Sequence, residues 1–577
     1  MNKIKKFLPI LILIVLSIFA IKPLFLPGFF PMHDDTQVSR VFEMKQALAD
    51  GQFPVRWVSD LGYNYGYPIF NFYAPFAYYV GGFISLSGLD ALTATKLMMI
   101  LGVVLSGIFM YLLAREFWGE VGGVVSGLLY VYAPYHAVNI YVRGAVAEFW
   151  AYAFLPLIFL GLYKLFVLLT HKHSSNYLLW LWTAIGAIGY AGIIISHNLT
   201  AMMVTPFLFA TALIFLMLVR KDKQKRQLFF LFLPLFFGII LSAFYWLPTL
   251  QEMHYTNVLS VVGGKSDVNL HFVCPSQLLN SPWGFGGSVA GCVDGMSFKI
   301  GKMHLALTIF ALMALAFLWK GQRSKFIIAA TFLVFLILSV LLMFRESAFL
   351  WNAFSQMAYF QFPWRFLLLV SFFMSFLAGA SFFVLQTKIN RFAVYGISGI
   401  TIGGILILNA GLFVPQSMLP KTAAHYTNSD VLTWKTSKIS DEYLPRDFKK
   451  PLKKSEVPTK KITLQDPKAR IVSLQTKTHE ITALIDTPNK TRASLAVAYF
   501  PAWQVFIDKE KVGYSVFNRG LYITVPAGKH VLTVSFIQTP IEVLANIASL
   551  TGVLALLLGI IITQRKERAH AKTKKST

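Results

Sequence analysis

His33, Asp34 and Asp35 stand in a row just after the first hydrophobic run of the chain, in GFFPMHDDTQVSRVFEMKQALADGQFPVRW (28–57). Adjacent carboxylates can hold a divalent cation or take a proton as a general base. A plainer alternative stands beside that chemistry. Val38, Val41, Phe42, Leu48 and Ala49 share one helical face that ends at Gly51, so an aspartate here could simply cap a helix. One aspartate suffices for a cap, and a helix N-terminus also keeps carboxylates ionised. Both readings stay open on sequence.

A second stretch, YAPYHAVNIYVRGAVAEFWAY (132–152), carries His136, Arg143 and Glu148 between two apolar runs. A charge at the centre of a spanning helix costs about 2.5–3.5 kcal/mol, so such residues near span ends usually have a partner or a task. An Arg143–Glu148 pair, or an arginine snorkelling to headgroups, would look the same. His197 in ISHNLTA, and Glu252 with His254 in YWLPTLQEMH, are placed alike and read more simply as packing or interfacial groups. In QFPWRF (361–366), Arg365 enters an apolar run beside Pro363 and Trp364, where a guanidinium suits a lipid phosphate or a plain interfacial anchor. No P-loop, Rossmann glycine fingerprint or HExxH motif occurs, so a nucleotide-driven or zinc-protease mechanism has no support. These acids, arginines and histidines together point to a site at a membrane boundary for an anionic, partly lipidic substrate.

The elements that must position them are transmembrane helices. The 577 residues are 56% hydrophobic and only 14% charged, a composition foreign to soluble domains. The formal charge of +26 does not argue for nucleic acid, because the basic residues cluster in short loops between apolar runs. Twelve spans are predicted near 6–26, 95–114, 119–135, 147–168, 178–196, 198–219, 227–248, 303–319, 326–344, 363–386, 392–413 and 541–563. The first follows a basic start without a small-residue cleavage site, so it reads as a retained span. RKDKQKR (220–226), KGQRSK (320–325), TKINR (387–391) and the tail RKERAHAKTKK (565–575), with Lys3, Lys5 and Lys6, are expected inside, which puts both termini in the cytoplasm. The aromatic run 68–92 would invert that order if it crossed, so it is expected to lie at the interface, within an outer loop 27–94 holding two helices. Further outer loops are 134–147, 249–302 and 345–362.

The transmembrane module thus covers 1–413. Residues 414–540 form a Lys/Pro linker and an extracytoplasmic β-sandwich, read from period-2 runs such as EITALID and HVLTVSFI broken by DTPNK, DKEK and PAGK. Residues 541–577 form the last span and a basic cytoplasmic tail. Cys274 and Cys292 share the 249–302 loop, where an oxidising exterior would let them pair; two free thiols are the alternative.

HDD with ADGQFPVRW, GYNYGYPIFNFYAPFAYYV, YVRGAVAEFW, ISHNLTA, QFPWRF and the C-terminal YFPAWQVFIDKEKV…VPAGKHVLTVSF resemble the 6-pyruvoyl-tetrahydropterin synthase-related membrane proteins and their YfhO-like relatives. The layout of first span, acidic outer loop, helix and aromatic interfacial segment resembles the GT-C glycosyltransferase superfamily, and the likeness covers nearly the whole chain. Pterin chemistry is not implied, for no zinc-binding histidine cluster accompanies it. The resemblance implies a polytopic α-helical, GT-C-like membrane protein that uses a polyprenyl-phosphate sugar donor. By position it assigns the base or metal-associated carboxylate to Asp34 or Asp35, a second acid to Glu148, and the grip on donor phosphate to Arg143 and Arg365. His33, His197 and Trp364 complete the expected substrate contacts, and Asp34 with Glu148 the expected seat of a divalent cation, Mg or Mn. No nucleotide cofactor is expected.

The function expected is sugar transfer from a polyprenyl-phosphate donor to a glycan, lipid or protein acceptor on the outer face of the cytoplasmic membrane. A flippase for lipid-linked saccharides needs the same arginines and acids, but few charges lie within the central spans. A scaffold that recruits envelope partners through its β-domain is the third possibility.

Overall fold

A computed structural model describes residues 2–171, 174–219, 228–258 and 267–576. Among them ten helices are long and apolar enough to cross a membrane. A bent pair, Leu233–Leu241 with Ala243–Tyr255, turns through 65° and makes eleven if counted as one crossing. The remaining difference from twelve lies in Ala91–Val131, whose 41 residues would reach about 60 Å if straight, twice the hydrocarbon thickness. Gly119 breaks this helix at φ 76°, ψ 179°. Past the break the chain doubles back, because Gly127 packs on the Gly107 carbonyl and Gly123 on Tyr111. Tyr111 and Gly123 would stand about 18 Å apart along a straight helix. The runs 95–114 and 119–135 are therefore the two arms of a hairpin.

The span from Pro363 to Lys388 runs through the centre of the bundle, with 83% of its apolar window buried, against 22% for the peripheral Arg391–Leu412 and Pro540–His570. Its Phe372, Phe373 and Phe376 pack on Phe159 and Phe332 of neighbouring spans. The hairpin closes on it through small residues: Gly122 meets the Gly379 carbonyl, and Trp118 donates its Nε1 to the Phe376 carbonyl at 2.8 Å. Lys325 reaches the Phe117 carbonyl and Lys388 lies over the Phe317 ring, so the 320–325 and 387–391 loops gather with the hairpin bend at one end. The expected RKDKQKR loop (220–226) and the side chains of Lys3, Lys5 and Lys6 lie outside the described residues.

The long loops gather at the other end. Residues 27–94 hold the two expected helices, Gln37–Ala49 and Phe76–Leu86, and a single helical turn, Ile69–Phe72. The second, at 11 residues, is too short to cross. It packs on the first where Gly81 and Gly82 meet Val41 and Met44.

Nine strands follow: β1 (Ile462–Leu464), β2 (Arg470–Lys477), β3 (Glu480–Thr487), β4 (Thr491–Leu495), β5 (Trp503–Ile507), β6 (Glu510–Val512), β7 (Ser515–Phe517), β8 (Gly520–Val525) and β9 (Gly528–Phe536). They form two antiparallel sheets, ordered β1-β4-β8-β7 and β2-β3-β9-β5-β6. Alternating inward residues such as Ile481, Ala483 and Ile485 fill the space between them.

The segment ahead of the Lys/Pro stretch LPRDFKKPLKKSEVPTKK (444–461) carries structure that its sequence does not announce. Phe29 bridges Leu419, Ser39 meets the Tyr426 carbonyl, and Arg40 donates to Ser440, so residues 419–444 are plated onto the 27–94 loop. Their mixed polar composition, without helical or alternating periodicity, hides the apolar anchors Tyr426, Leu432 and Leu444, all buried. Cys274 and Cys292 are bonded, with Cα atoms 5.6 Å apart.

Candidate functional site

Glu148 lies in the first turn of the helix Val146–Thr170, where the helix N-terminus favours a carboxylate. Shortly before it, Val138–Arg143 wind as a π-helix ending at Gly144 with φ 64°. Gly144 is required twice over: its backbone is left-handed, and a Cβ there would lie 2.1 Å from the Met32 sulfur. That close approach seats the acidic loop on the π-helix. His33 N–H donates to the Val142 carbonyl at 3.1 Å, Asp34 N–H to the Arg143 carbonyl at 3.0 Å, and Gln37 Nε2 to the Gly144 carbonyl at 2.8 Å.

Arg143 and Glu148 form a buried pair at 2.8 Å. Arg143 Nη1 also donates to Asn139 Oδ1 at 2.5 Å and Tyr135 at 3.2 Å, while Tyr135 donates to Glu148 Oε1 at 2.5 Å. The Arg143 guanidinium lies 4.7 Å from the Trp364 ring. Burial disfavours its charge, but Glu148 and Tyr135 more than offset this and raise its pKa above the ordinary value.

Arg365 enters from the turn Pro363–Phe366. Its Nε lies 3.8 Å from Glu148 Oε2, and its Nη1 is held by the Phe360 carbonyl at 2.8 Å. One carboxylate thus faces two guanidiniums. Neither arginine's Nη2 bonds a described residue.

These groups open on a cavity of about 290 Å³ lined also by Asp34, His197, Tyr73, Tyr359, Gln361 and Tyr443. His197 sits in the break between the spans Asn176–Ser196 and Asn198–Leu218, its Nδ1 2.7 Å from the Thr200 hydroxyl. Asp34, Arg143, Glu148, His197 and Arg365 therefore meet, drawn from four separate stretches of chain.

Other expected members lie elsewhere. Asp35 turns away from the cavity toward Lys421, 3.8 Å distant; burial raises its pKa, opposed by Lys421 and His425. His33 is tied to the Phe285 carbonyl of the disulfide-bearing loop at 2.9 Å. Trp364 is buried behind Arg143 and does not line the cavity. His136 is a packing residue within the bundle, 4.7 Å from the Tyr152 ring and bonded to the Val131 carbonyl. The helix-cap reading of the acid pair also fails, since Gln37–Ala49 is capped at Thr36 with no side-chain bond. Tyr135 and Asn139, which hold the ion pair, were missed; their spacing of four residues, carried on to Arg143, is the signal that could have found them.

The donor set does not fit the expected two-carboxylate cation seat. Glu148 is engaged by two guanidiniums and a tyrosine, which leaves Asp34 as the remaining carboxylate on the cavity. Among the described residues no cluster of three or more His, Cys, Asp or Glu is built for a metal. Two arginines with spare donors instead suit a phosphate or phosphate ester.

Residues 70–262, which include Arg143, Glu148 and His197 but neither Asp34 nor Arg365, match the family model of the 6-pyruvoyl-tetrahydropterin synthase related domain, a membrane protein. No curated protein matches the chain in sequence. Among solved structures, the Archaeoglobus fulgidus oligosaccharyltransferase tethered with an acceptor peptide is similar over 76% of this chain and 60% of its own, at 13% identity and a TM-score of 0.47. ArnT from Cupriavidus metallidurans bound to undecaprenyl phosphate is similar over 76% and 77%, at 12% identity and a TM-score of 0.39. The arabinofuranosyltransferase AftD from Mycobacteria is similar over 72% and 27%, at 11% identity and a TM-score of 0.42. The chain spans three-fifths of the length of that oligosaccharyltransferase and about a quarter of AftD.

Proposed function

We propose that this polytopic membrane protein is a glycosyltransferase that moves a sugar from a polyprenyl-phosphate donor to a cell-envelope acceptor. It works on the outer face of the cytoplasmic membrane, with both termini inside and the β-sandwich outside. The observation that carries the reading is the cavity in which Asp34 faces two arginines already balanced by one glutamate. Two guanidiniums stand against two carboxylates, Glu148 and Asp34, so the lipid phosphate is met by the arginine Nη2 donors, which bond no described residue, and not by a net positive field.

An acceptor hydroxyl oxygen bonds to the anomeric carbon and gives its proton to Asp34. The bond from that carbon to the phosphate oxygen breaks, and its electron pair stays on the phosphate. Arg143 and Arg365 meet the charge that develops there through their free Nη2 groups. A phosphate ester leaves readily, so no strong acid is needed on the leaving side. Glu148 is a positioning residue: it aims both guanidiniums and touches no reacting atom. No step is routed through a metal.

The test is turnover of labelled undecaprenyl-phosphate sugars by the full chain in lipid nanodiscs. Sugar release that disappears in a folded Asp34→Asn variant and persists in Asp35→Asn supports the reading. Donor binding without turnover, equal in wild type and both variants, overturns it in favour of a carrier for lipid-linked saccharides.

A further inference from the structure

A second cavity, of about 380 Å³, opens where two membrane-spanning helices emerge at the end of the bundle opposite the 320–325 and 387–391 loops. Lys302 lines it from the start of the span Lys302–Gly321, and Leu408 and Asn409 line it from the end of the peripheral span Arg391–Leu412. Lys299 and Ser281, from the disulfide-bearing loop, close the remaining side. It shares no lining residue with the first cavity. Phe298 packs 6.1 Å from Trp364, which in turn lies against Arg143, so these two rings stand between Lys299 and the first site.

The charges on this lining have one sign. Among the described residues that form it, Lys299 and Lys302 carry charge and no acid is present. Neither ammonium makes an ion pair or a hydrogen bond with a described residue. The neighbouring acid Asp294 accepts from Ser281 Oγ at 2.8 Å and Gln277 Nε2 at 2.9 Å, and it stays outside the lining. Lys299 is half-buried, its Nζ 5.7 Å from the Trp283 ring. Burial and the like charge of Lys302 both lower its pKa. Two ammoniums that repel each other across one cavity are relieved by an anion held between them.

Position decides which anion. Span-flanking lysines concentrate at one membrane face, here the face of the 320–325 and 387–391 loops, and Lys299 and Lys302 stand at the other. Leu279 and Leu408, 59% and 48% exposed, give the rim an apolar surface. Deeper in the bundle, the same two spans and the central one enclose a largely apolar groove of about 390 Å³, lined by Leu307 and Phe310 on one side and Ile397 and Thr401 on the other. Leu307 and Phe310 lie about 8 and 12 Å beyond Lys302 along the helix axis, within the roughly 15 Å of hydrocarbon in one leaflet. A free anion has no use for such a groove, whereas a lipid needs both parts, and basic pockets between membrane helices suit lipid phosphates.

We propose that this cavity seats the phosphate of an anionic phospholipid, gripped by Lys299 and Lys302, with its acyl chains against the apolar groove. The inference goes beyond the transfer reaction and does not need it. Such a lipid ties the span Arg391–Leu412, of whose apolar window 22% is buried, to its neighbour Lys302–Gly321, and by binding the folded state it stabilises that state.

The experiment compares the full chain in nanodiscs of phosphatidylcholine alone and of phosphatidylcholine mixed with phosphatidylglycerol. It reads the melting temperature and, by native mass spectrometry, the lipid that stays bound on release. Phosphatidylglycerol is expected to be retained ahead of phosphatidylcholine and to raise the melting temperature. Lys299→Gln and Lys302→Gln should each weaken that retention about tenfold, the loss of one hydrogen bond to a charged group. Both should melt like wild type in phosphatidylcholine alone, because neither ammonium has an ion pair or hydrogen bond in the protein to lose. Lys320→Gln, at the far end of the same span, should change nothing. Retention of phosphatidylglycerol that survives the double change Lys299→Gln and Lys302→Gln overturns the proposal, as does equal retention of the two lipids. Inorganic phosphate that raises the melting temperature in phosphatidylcholine as far as phosphatidylglycerol does overturns it too, for the site then needs no lipid.

Discussion

Two buried arginine–glutamate clusters lie beside the same outer loop, and they are not alike. Arg56 donates to Asn71 at 2.5 Å, to the Phe244 carbonyl at 3.1 Å and to Asn546 at 3.1 Å, and its Nε faces Glu542 at 3.5 Å. Glu252 accepts from Asn71 at 2.6 Å and from Thr539 at 2.5 Å. Protein groups surround the Arg56 guanidinium, and the cluster staples the outer loop, the bent span and the start of the last helix together. The Arg143–Glu148–Arg365 cluster has the same residue types and similar burial, yet it opens on a cavity and keeps two Nη2 groups without a bond to any described residue. Residue type does not separate a structural ion cluster from a binding one. Unspent hydrogen-bonding capacity that faces an open space does.

That contrast breaks first at Arg56. Arg56→Ala strands Glu542 without its cation, which should cost about 3–5 kcal/mol of stability. A thermal melt in nanodiscs checks it, and a variant that melts like wild type would end the staple assignment. Asp34→Asn should do the opposite, lowering transfer by about 10²–10⁴-fold with an unchanged melt. Loss of stability comparable to that of Arg56→Ala would place Asp34 with the closed cluster instead. Opening the disulfide by the double change Cys274→Ser and Cys292→Ser removes a link across 18 residues, worth about 3 kcal/mol. Because Phe285 within that link holds His33, next to Asp34, donor KM should rise along with the drop in melting temperature.

Arg365→Lys keeps the charge but loses the planar fork, so kcat/KM for the donor should fall about tenfold while the melting temperature moves little. A matching fall with Arg143→Lys would show both guanidiniums gripping one phosphate. Asp35→Asn is the smallest change, with turnover expected within about twofold, since this side chain faces away from where a base would act. It carries a pH signature. The folded pKa of Asp35 lies above its ordinary 3.8, so its contribution to stability is present at low pH and is lost as pH rises through the folded value. Asparagine should flatten that fall in a melt-versus-pH series.

Much of the fold was legible because its signals are local. Apolar runs of spanning length, the short helix 76–86 and the period-2 strands each depend on neighbours within about twenty residues. The plating of residues 419–444 was not legible, because its few buried anchors sit in a mostly polar stretch and find partners some 400 residues away. Arg143, Glu148, His197 and Arg365 could be named from sequence because a charge or histidine at a span end stands out against apolar surroundings. Glu252 stood out for the same reason and belongs to the closed cluster.

The amino-acid sequence by itself determined the apolar runs, the alternating strands of the outer domain and the inventory of charged groups at the ends of the spans, since hydropathy and periodicity are properties of short windows. Tertiary structure alone decided that Asp34 and not Asp35 lines the cavity, because successive residues point to different sides of the chain and the docking of that loop on Val142 and Arg143 fixes which side meets it. It also decided that Glu148 aims two arginines and is not left as a free second acid, for only packing of the 363–388 span against the 146–170 helix brings Arg365 to it. Partnership between distant side chains is a property of the packed molecule.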